Sequence, residues 1–169
     1  MVRYDHFASG KIGTLTLVGD DQGLRRIHFE TGRRPLTIQP DWRQDADLFA
    51  EAKQQLAEYF EGRRRTFDLP LAPAGTAFQM AVWEALRAIP YGQLVSYRWV
   101  AERIGNVKAS RAAGGAIGRN PLPIVIPCHR VVGSDGALTG FGGGLAVKER
   151  LIELEGGLPG LQGSQKKNR

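Results

Sequence analysis

Polar and apolar residues alternate over most of Thr14-Leu15-Thr16-Leu17-Val18, the pattern of a half-buried strand. Turn-forming residues flank it, Ser9 to Gly13 before and Asp20 to Gly23 after. Leu24 to Phe29 is a second strand candidate, and the first thirty residues as a whole read as short strands. Arg33 to Trp42, with Pro35 and Pro40, reads as a loop. The period then lengthens. Leu48, Ala52, Leu56, Tyr59 and Phe60 fall at helical spacing and predict an amphipathic helix from about Asp45 to Phe60, stopped by Gly62. Arg63-Arg64-Arg65 reads as a solvated turn. Two prolines and a glycine in Leu69 to Gly75 discourage regular structure, so a boundary is expected between about residues 70 and 75.

Beyond that boundary the pattern is helical. Thr76 can cap a helix whose apolar face is Phe78, Val82, Ala85, Leu86 and Ile89. Pro90-Tyr91-Gly92 turns the chain. Ser96 can cap a short helix carrying Trp99, Val100 and Ile104, ended by Gly105. Ser110 can cap a third, Arg111 to Gly118. The last two helices and their glycine turn form a helix-turn-helix pattern. The third helix is built almost wholly from tiny residues, and Gly114-Gly115 weakens it by about 1 kcal/mol per glycine relative to alanine. Such a helix lets its backbone approach another surface closely, either a second helix or the wall of a DNA groove.

Asn120-Pro121-Leu122-Pro123 forces an extended path, and Ile124 to Ile126 fits a strand entering a core. The Gly133 to Gly136 turn predicts a hairpin. Gly140 to Gly144 is a glycine loop. Leu145 to Glu155 is a helix with Val147, Leu151 and Leu154 on one face. The fold class expected is an α/β N-terminal domain over residues 1–72, then a mostly helical C-terminal domain with a helix-turn-helix over 76–160. Residues 161–169 form a polar, frayed tail. No internal repeat is present.

Composition narrows the function class. The chain has 169 residues, 42% hydrophobic and 24% charged, ordinary for a soluble globular protein. No apolar run approaches the roughly 18 residues of a membrane span, and the N-terminus lacks the apolar core of a signal peptide. With one cysteine, a reducing cytoplasm is the expected location. The net charge is +6. Its distribution says more than its size. No Asp or Glu occurs from Arg103 to Ser134, while Arg103, Lys108, Arg111, Arg119 and Arg130 all do. A surface built from that segment is positive without local cancellation and suits a polyanion such as nucleic acid, or is a solvated basic face.

The single cysteine, Cys128, lies in Pro127-Cys128-His129-Arg130. A lone thiol cannot close an intramolecular disulfide or build a multi-cysteine zinc cage. It is either a buried hydrophobe or a nucleophile. A neighbouring imidazole can take its proton and a guanidinium favours thiolate, so the chemistry for the second is present.

Several pieces in order resemble the O6-alkylguanine-DNA alkyltransferases, also called methylated-DNA–protein-cysteine methyltransferases. They are Phe78-Gln79-x-x-Val82-Trp83, Ile89-Pro90-Tyr91-Gly92, Ser96-Tyr97, Arg111-Ala112-x-Gly114, Asn120-Pro121 and Pro127-Cys128-His129-Arg130-Val131. Gly143-Gly144-Leu145 and a helix carrying Lys148, Leu151 and Glu155 complete the match. The resemblance is strong from about Phe78 to Glu155 and weaker before it. It implies a ribonuclease H-like N-terminal domain and a monomeric protein that acts on double-stranded DNA containing O6-alkylguanine. The reaction implied is irreversible transfer of an alkyl group from O6 of guanine, and from O4 of thymine, to the protein's own cysteine. No membrane, cofactor or metal is implied, since this chain lacks the N-terminal cysteines of zinc-bearing relatives.

Roles follow from the same resemblance. Cys128 is the nucleophile and His129 its base. Neighbours on an extended segment point to opposite faces, so either the chain turns at Cys128 or a water bridges thiol and imidazole, and the resemblance favours the water. Glu155 orients His129, and Asn120 orders the segment leading to Cys128. Arg111 fills the gap left by the flipped nucleotide. Tyr97 helps rotate that nucleotide and contacts the base. Ser110, Ala112 and Ala113 line the DNA side. Backbone groups at Cys128 and Val131, with the Phe141-Gly142 loop, read the guanine. Phe141 and Gly142 lack hydroxyls that some relatives carry there, which bears on substrate range. Two rivals from other classes remain: a lesion-binding module without chemistry, and a helix-turn-helix regulator with Cys128 as redox sensor.

Overall fold

The computed structural model describes residues 1–157. The N-terminal half is a four-stranded sheet with one helix. Its strands are β1 (Arg3–Ala8), β2 (Thr14–Asp20), β3 (Gly23–Phe29) and β4 (Arg43–Gln44), in the order β3-β2-β1-β4. The β1–β2 and β2–β3 pairs are antiparallel, whereas β4 joins β1 in parallel. Leu15, Leu17, Leu24, Ile27 and Phe29 turn into the core, which the alternating pattern predicts. β1 had no such signature because its inward position is Asp5, only 5% exposed. The buried carboxylate accepts hydrogen bonds from Gln44 and Lys53. Helix α1 (Ala50–Phe60) buries Ala52, Leu56, Tyr59 and Phe60 against this sheet.

The link between the halves is not free. Leu24 donates its N–H to Pro70 O at 2.9 Å and Ala72 donates to Leu24 O at 2.8 Å, so the proline-rich segment runs beside β3. The C-terminal half packs α2 (Ala77–Arg87), α3 (Tyr97–Arg103), α4 (Ser110–Gly118) and α5 (Leu145–Leu154). Thr76 and Gln79 form a reciprocal capping box at the start of α2. Ser96 Oγ accepts the Trp99 N–H at the start of α3. Trp83 Nε1 donates to Ala116 O at 2.9 Å, tying α2 to α4. One hydrophobic cluster runs from Ile12 to Leu151 and joins the two halves.

Five expectations are corrected. α1 begins at Ala50 rather than near Asp45, because the Asp45 carboxylate accepts the Leu48 N–H and holds a turn instead. Phe78 is exposed, and Trp83 takes its place on the buried face of α2. Ser110 is the first residue of α4, not its cap. Ala109 stands at the cap after a short 3-10 turn, Val107–Ala109. Ile124 to Ile126 is buried turn rather than strand, with Ile124 at φ 76°, a strained conformation for a β-branched residue. The Gly133 to Gly136 turn forms, but no hairpin does. Its first arm, β6 (Val131–Val132), pairs in parallel with β5 (Val95–Ser96) instead. The tail after residue 157 lies outside the described residues.

Candidate active site

The segment from Leu122 to Val132 is buried throughout, and Asn120 organises its entry. Asn120 Oδ1 accepts the Leu122 N–H at 2.9 Å, and its Nδ2 donates to Ile126 O at 2.7 Å. One side chain thus pins both ends of a tight loop. The chain then turns at Cys128: Cys128 N donates to Ile126 O, and Cys128–Arg130 form a 3-10 turn. This turn removes the opposite-face geometry expected of an extended segment.

Glu155, just past the end of α5, collects the hydrogen bonds of this region. Its Oε2 accepts from Tyr59 Oη at 2.6 Å, His129 Nε2 at 2.7 Å and Arg130 Nη2 at 3.0 Å. Its Oε1 accepts from Arg130 Nε at 2.8 Å and the Gly92 N–H at 3.2 Å. Gly92 sits at φ 80°, and a Cβ there would lie 2.9 Å from Glu155 O, so a side chain is excluded where this contact is made. Burial alone would raise the carboxyl's pKa, but His129 and Arg130 hold it far below the usual carboxylate range. It is therefore ionised and accepts only, which requires His129 Nε2 to carry the proton. His129 Nδ1 is left as the acceptor. It is buried and has no partner among the described residues.

His129 is fully buried, and burial depresses its pKa against the pull of Glu155. The imidazole is neutral and free to take a proton. Burial pushes the Cys128 thiol up, with Asn120 and Lys148 pulling the other way. The thiol is thus protonated at neutral pH and needs a base before it can attack. Arg130 also donates Nη1 to Ile89 O at 2.7 Å and lies over the Tyr91 ring. Lys148, 1% exposed, donates to Val131 O at 2.6 Å and Thr139 O at 2.7 Å, and burial lowers its pKa to about 8.

In front of the thiol is a cavity of about 600 Å³. It gathers Cys128, Asn120, Tyr97, Phe141 and Gly142. His129 and Glu155 stand behind it, and Val131 turns its side chain into the core. Tyr97 Oη shares a hydrogen bond with Thr139 Oγ1 at 2.7 Å. Arg111 and Ala112 are exposed at the start of α4 and Ser110 is half-buried there, next to the cavity's α4 wall at Gly114 and Ile117. Ala113 corrects an expectation. It is 0% exposed, so its side chain packs inward rather than lining the DNA side.

The sequence reading named Arg130 and Lys148 without their buried partners, and it missed the role of Tyr59 and the β3 wall of the cavity altogether. Arg130 and Tyr59 complete the Glu155 cluster, and the sequence shows Tyr59 only as one more apolar position on a helix face. Lys148 did leave a signal, an ammonium three residues before the buried Leu151. The β3 strand and the loop after it form the far wall of the cavity, which no local pattern announces.

Fold and site together define a protein that carries a helix-turn-helix beside a buried, base-backed cysteine facing an open cavity. Comparison with known proteins then fixes the family. Residues 77–157 match the family model described as the DNA-binding domain of 6-O-methylguanine DNA methyltransferase, and residues 3–73 match its ribonuclease-like domain. The methylated-DNA–protein-cysteine methyltransferase of Methanosarcina acetivorans is 48% identical over 145 residues, covering 86% of this chain and 93% of that protein. The one from Haemophilus influenzae is 45% identical over 155 residues, 90% of this chain and 85% of that protein. The structure of Mycobacterium tuberculosis OGT in complex with DNA superposes with a TM-score of 0.85 at 40% identity, covering 97% of this chain and 98% of that one. The chain belongs to the methylated-DNA–protein-cysteine methyltransferase family.

Proposed function

We propose that this protein repairs alkylated DNA directly, with Cys128 as a single-use acceptor for the alkyl group on O6 of guanine. O4 of thymine is the second substrate on the same reading. The observation that carries it is the buried His129–Glu155–Arg130 cluster next to Cys128, behind a cavity wide enough for a base. The target base is stacked in a duplex and has to be flipped into that cavity. Arg111, exposed at the first turn of α4, takes the vacated space, and Tyr97 on the cavity wall steers the nucleotide.

The thiol proton passes to His129 Nδ1, directly or across one water. Glu155 stabilises the imidazolium that results. The thiolate sulfur attacks the alkyl carbon, the sulfur–carbon bond forms and the carbon–O6 bond breaks. The electron pair leaves with guanine, which takes up the proton that the thiol gave. The thioether has no leaving group that water could displace readily, so one protein repairs one lesion.

Intact-protein mass and peptide mapping after incubation with a duplex bearing one O6-methylguanine test this. The expected result is one methyl on Cys128, saturating at one per protein, and none in Cys128→Ser. Retained duplex binding with no mass change would replace this reading with lesion recognition without chemistry.

A further inference from the structure

Most arginines of this chain have partners. Arg25 pairs with Asp20, Arg64 with Glu58, Arg98 with Glu102, and Arg150 donates to Lys11 O. Arg65 and Arg103 lie over aromatic rings. Among the described residues, six guanidiniums have no hydrogen bond, ion pair or ring contact: Arg26, Arg33, Arg34, Arg43, Arg111 and Arg119. Four of these six line the Cys128 cavity, namely Arg26, Arg33, Arg34 and Arg119. Among the described residues no Asp or Glu lines it. Like charges crowded on one rim repel one another, and an arriving polyanion relieves that repulsion.

Three of the four come from the N-terminal domain. Arg26 is on β3, and Arg33 and Arg34 are in the loop that follows it. That loop is anchored to the active site at several points. Thr31 Oγ1 donates to Gly143 O at 2.8 Å, the Phe29 and Phe141 rings are 5.5 Å apart, and the His28 ring bonds Arg34 O at 2.6 Å. The guanidiniums are therefore carried on a segment fixed relative to Cys128.

We propose that Arg26, Arg33, Arg34 and Arg119 form a phosphodiester clamp at the cavity mouth, so that the N-terminal domain is itself part of the DNA interface. The clamp holds backbone phosphates of the lesion-bearing strand on either side of the flipped nucleotide. Arg26, Arg33 and Arg34 work across the cavity from the helix-turn-helix, and Arg119 stands at the end of its second helix, α4. The inference rests on the repair function proposed above.

The test uses the full chain with Arg33→Ala/Arg34→Ala, the charge-keeping Arg33→Lys/Arg34→Lys, and Arg43→Ala as control. Arg43 is equally partnerless but sits on β4, at the opposite edge of the sheet. Duplex affinity is measured against salt concentration, and single-turnover rates are compared for an O6-methylguanine duplex and free O6-benzylguanine. Each phosphate contact contributes about −0.9 to the slope of log affinity against log salt. The double alanine variant is expected to weaken duplex binding about tenfold or more at low salt and to flatten that slope by roughly two contacts. Its rate should fall more on duplex than on free base, and the lysine pair should restore most of the slope. An unchanged slope, an equal loss on both substrates, or the same flattening in Arg43→Ala overturns the clamp. Failure of the wild type to alkylate Cys128 from either substrate would sink the repair reading instead, and the binding slopes would still judge the clamp.

Discussion

Glu155 is one carboxylate held by four residues, and its neighbours depend on it unequally. Arg130 is a guanidinium only 6% exposed, so removing its partner strands a buried cation. Glu155→Gln is expected to lower stability by about 3–5 kcal/mol and to slow alkyl transfer by roughly 10²-fold or more, since the imidazolium loses its counter-charge. Tyr59→Phe removes one hydrogen bond to the same oxygen but leaves the ion pair. It should destabilise by about 1.5–3 kcal/mol and slow transfer far less. Urea unfolding and single-turnover rates on both variants check this. Equal rate losses would mean that Glu155 acts through packing alone. At this scale the sequence was informative where a motif carries chemistry in consecutive residues. Cys128, His129, Asn120 and Glu155 were all legible with the family resemblance, and the structure brings them together. Tyr59 lies ninety-six residues from Glu155 and was not, because nothing local distinguishes a tyrosine that packs from one that also donates.

The elements divide by the range of what forms them. Helices α2, α3 and α5 were read nearly to the residue because caps and apolar faces are local. The two-residue strands β4 and β5 were missed, and β6 was expected in a hairpin rather than beside β5, because each exists only through a distant partner, Val95 against Val131 for example. Helix α4 resolves the open choice about its small residues. Ala113 and Ala116 are buried and Gly114 faces the Tyr97 ring, so one side packs on protein. A Cβ at Gly115 would meet nothing within 4 Å, so the other side has no packing reason for glycine. Gly115→Ala should then raise stability by about 0.5–1 kcal/mol. If α4 enters a groove closely, the same change weakens duplex binding. A higher Tm with unchanged duplex affinity would show that the bare face of α4 does not approach DNA.

Across the whole molecule, the hydrophobic cluster, the Pro70 and Pro121 backbone contacts with β3 and the Tyr59–Glu155 bond join the two halves. Stability should therefore respond to the charge state of the joint. His129 has a folded pKa below its ordinary 6.5 because it is buried. The unfolded chain binds that proton more readily, so stability falls as pH drops below about 6.5. Burial would raise Glu155 above its ordinary 4.5, but His129 and Arg130 hold it well below. Its contribution is present above pH 4.5 and is lost as pH falls further. Asp5 acts in the same sense below 3.8, where Gln44 and Lys53 outweigh its burial. Thermal unfolding from pH 7, below the Lys148 window, down to pH 2 should accordingly show Tm declining from the His129 window, before any carboxylate titrates. Glu155→Gln should flatten the acid limb below pH 4.5 and leave the share that Asp5 contributes. A Tm flat from pH 7 to pH 5, falling only below, would mean that His129 titrates in the folded protein as it does in water, and the neutral base argued for Cys128 would lose its support.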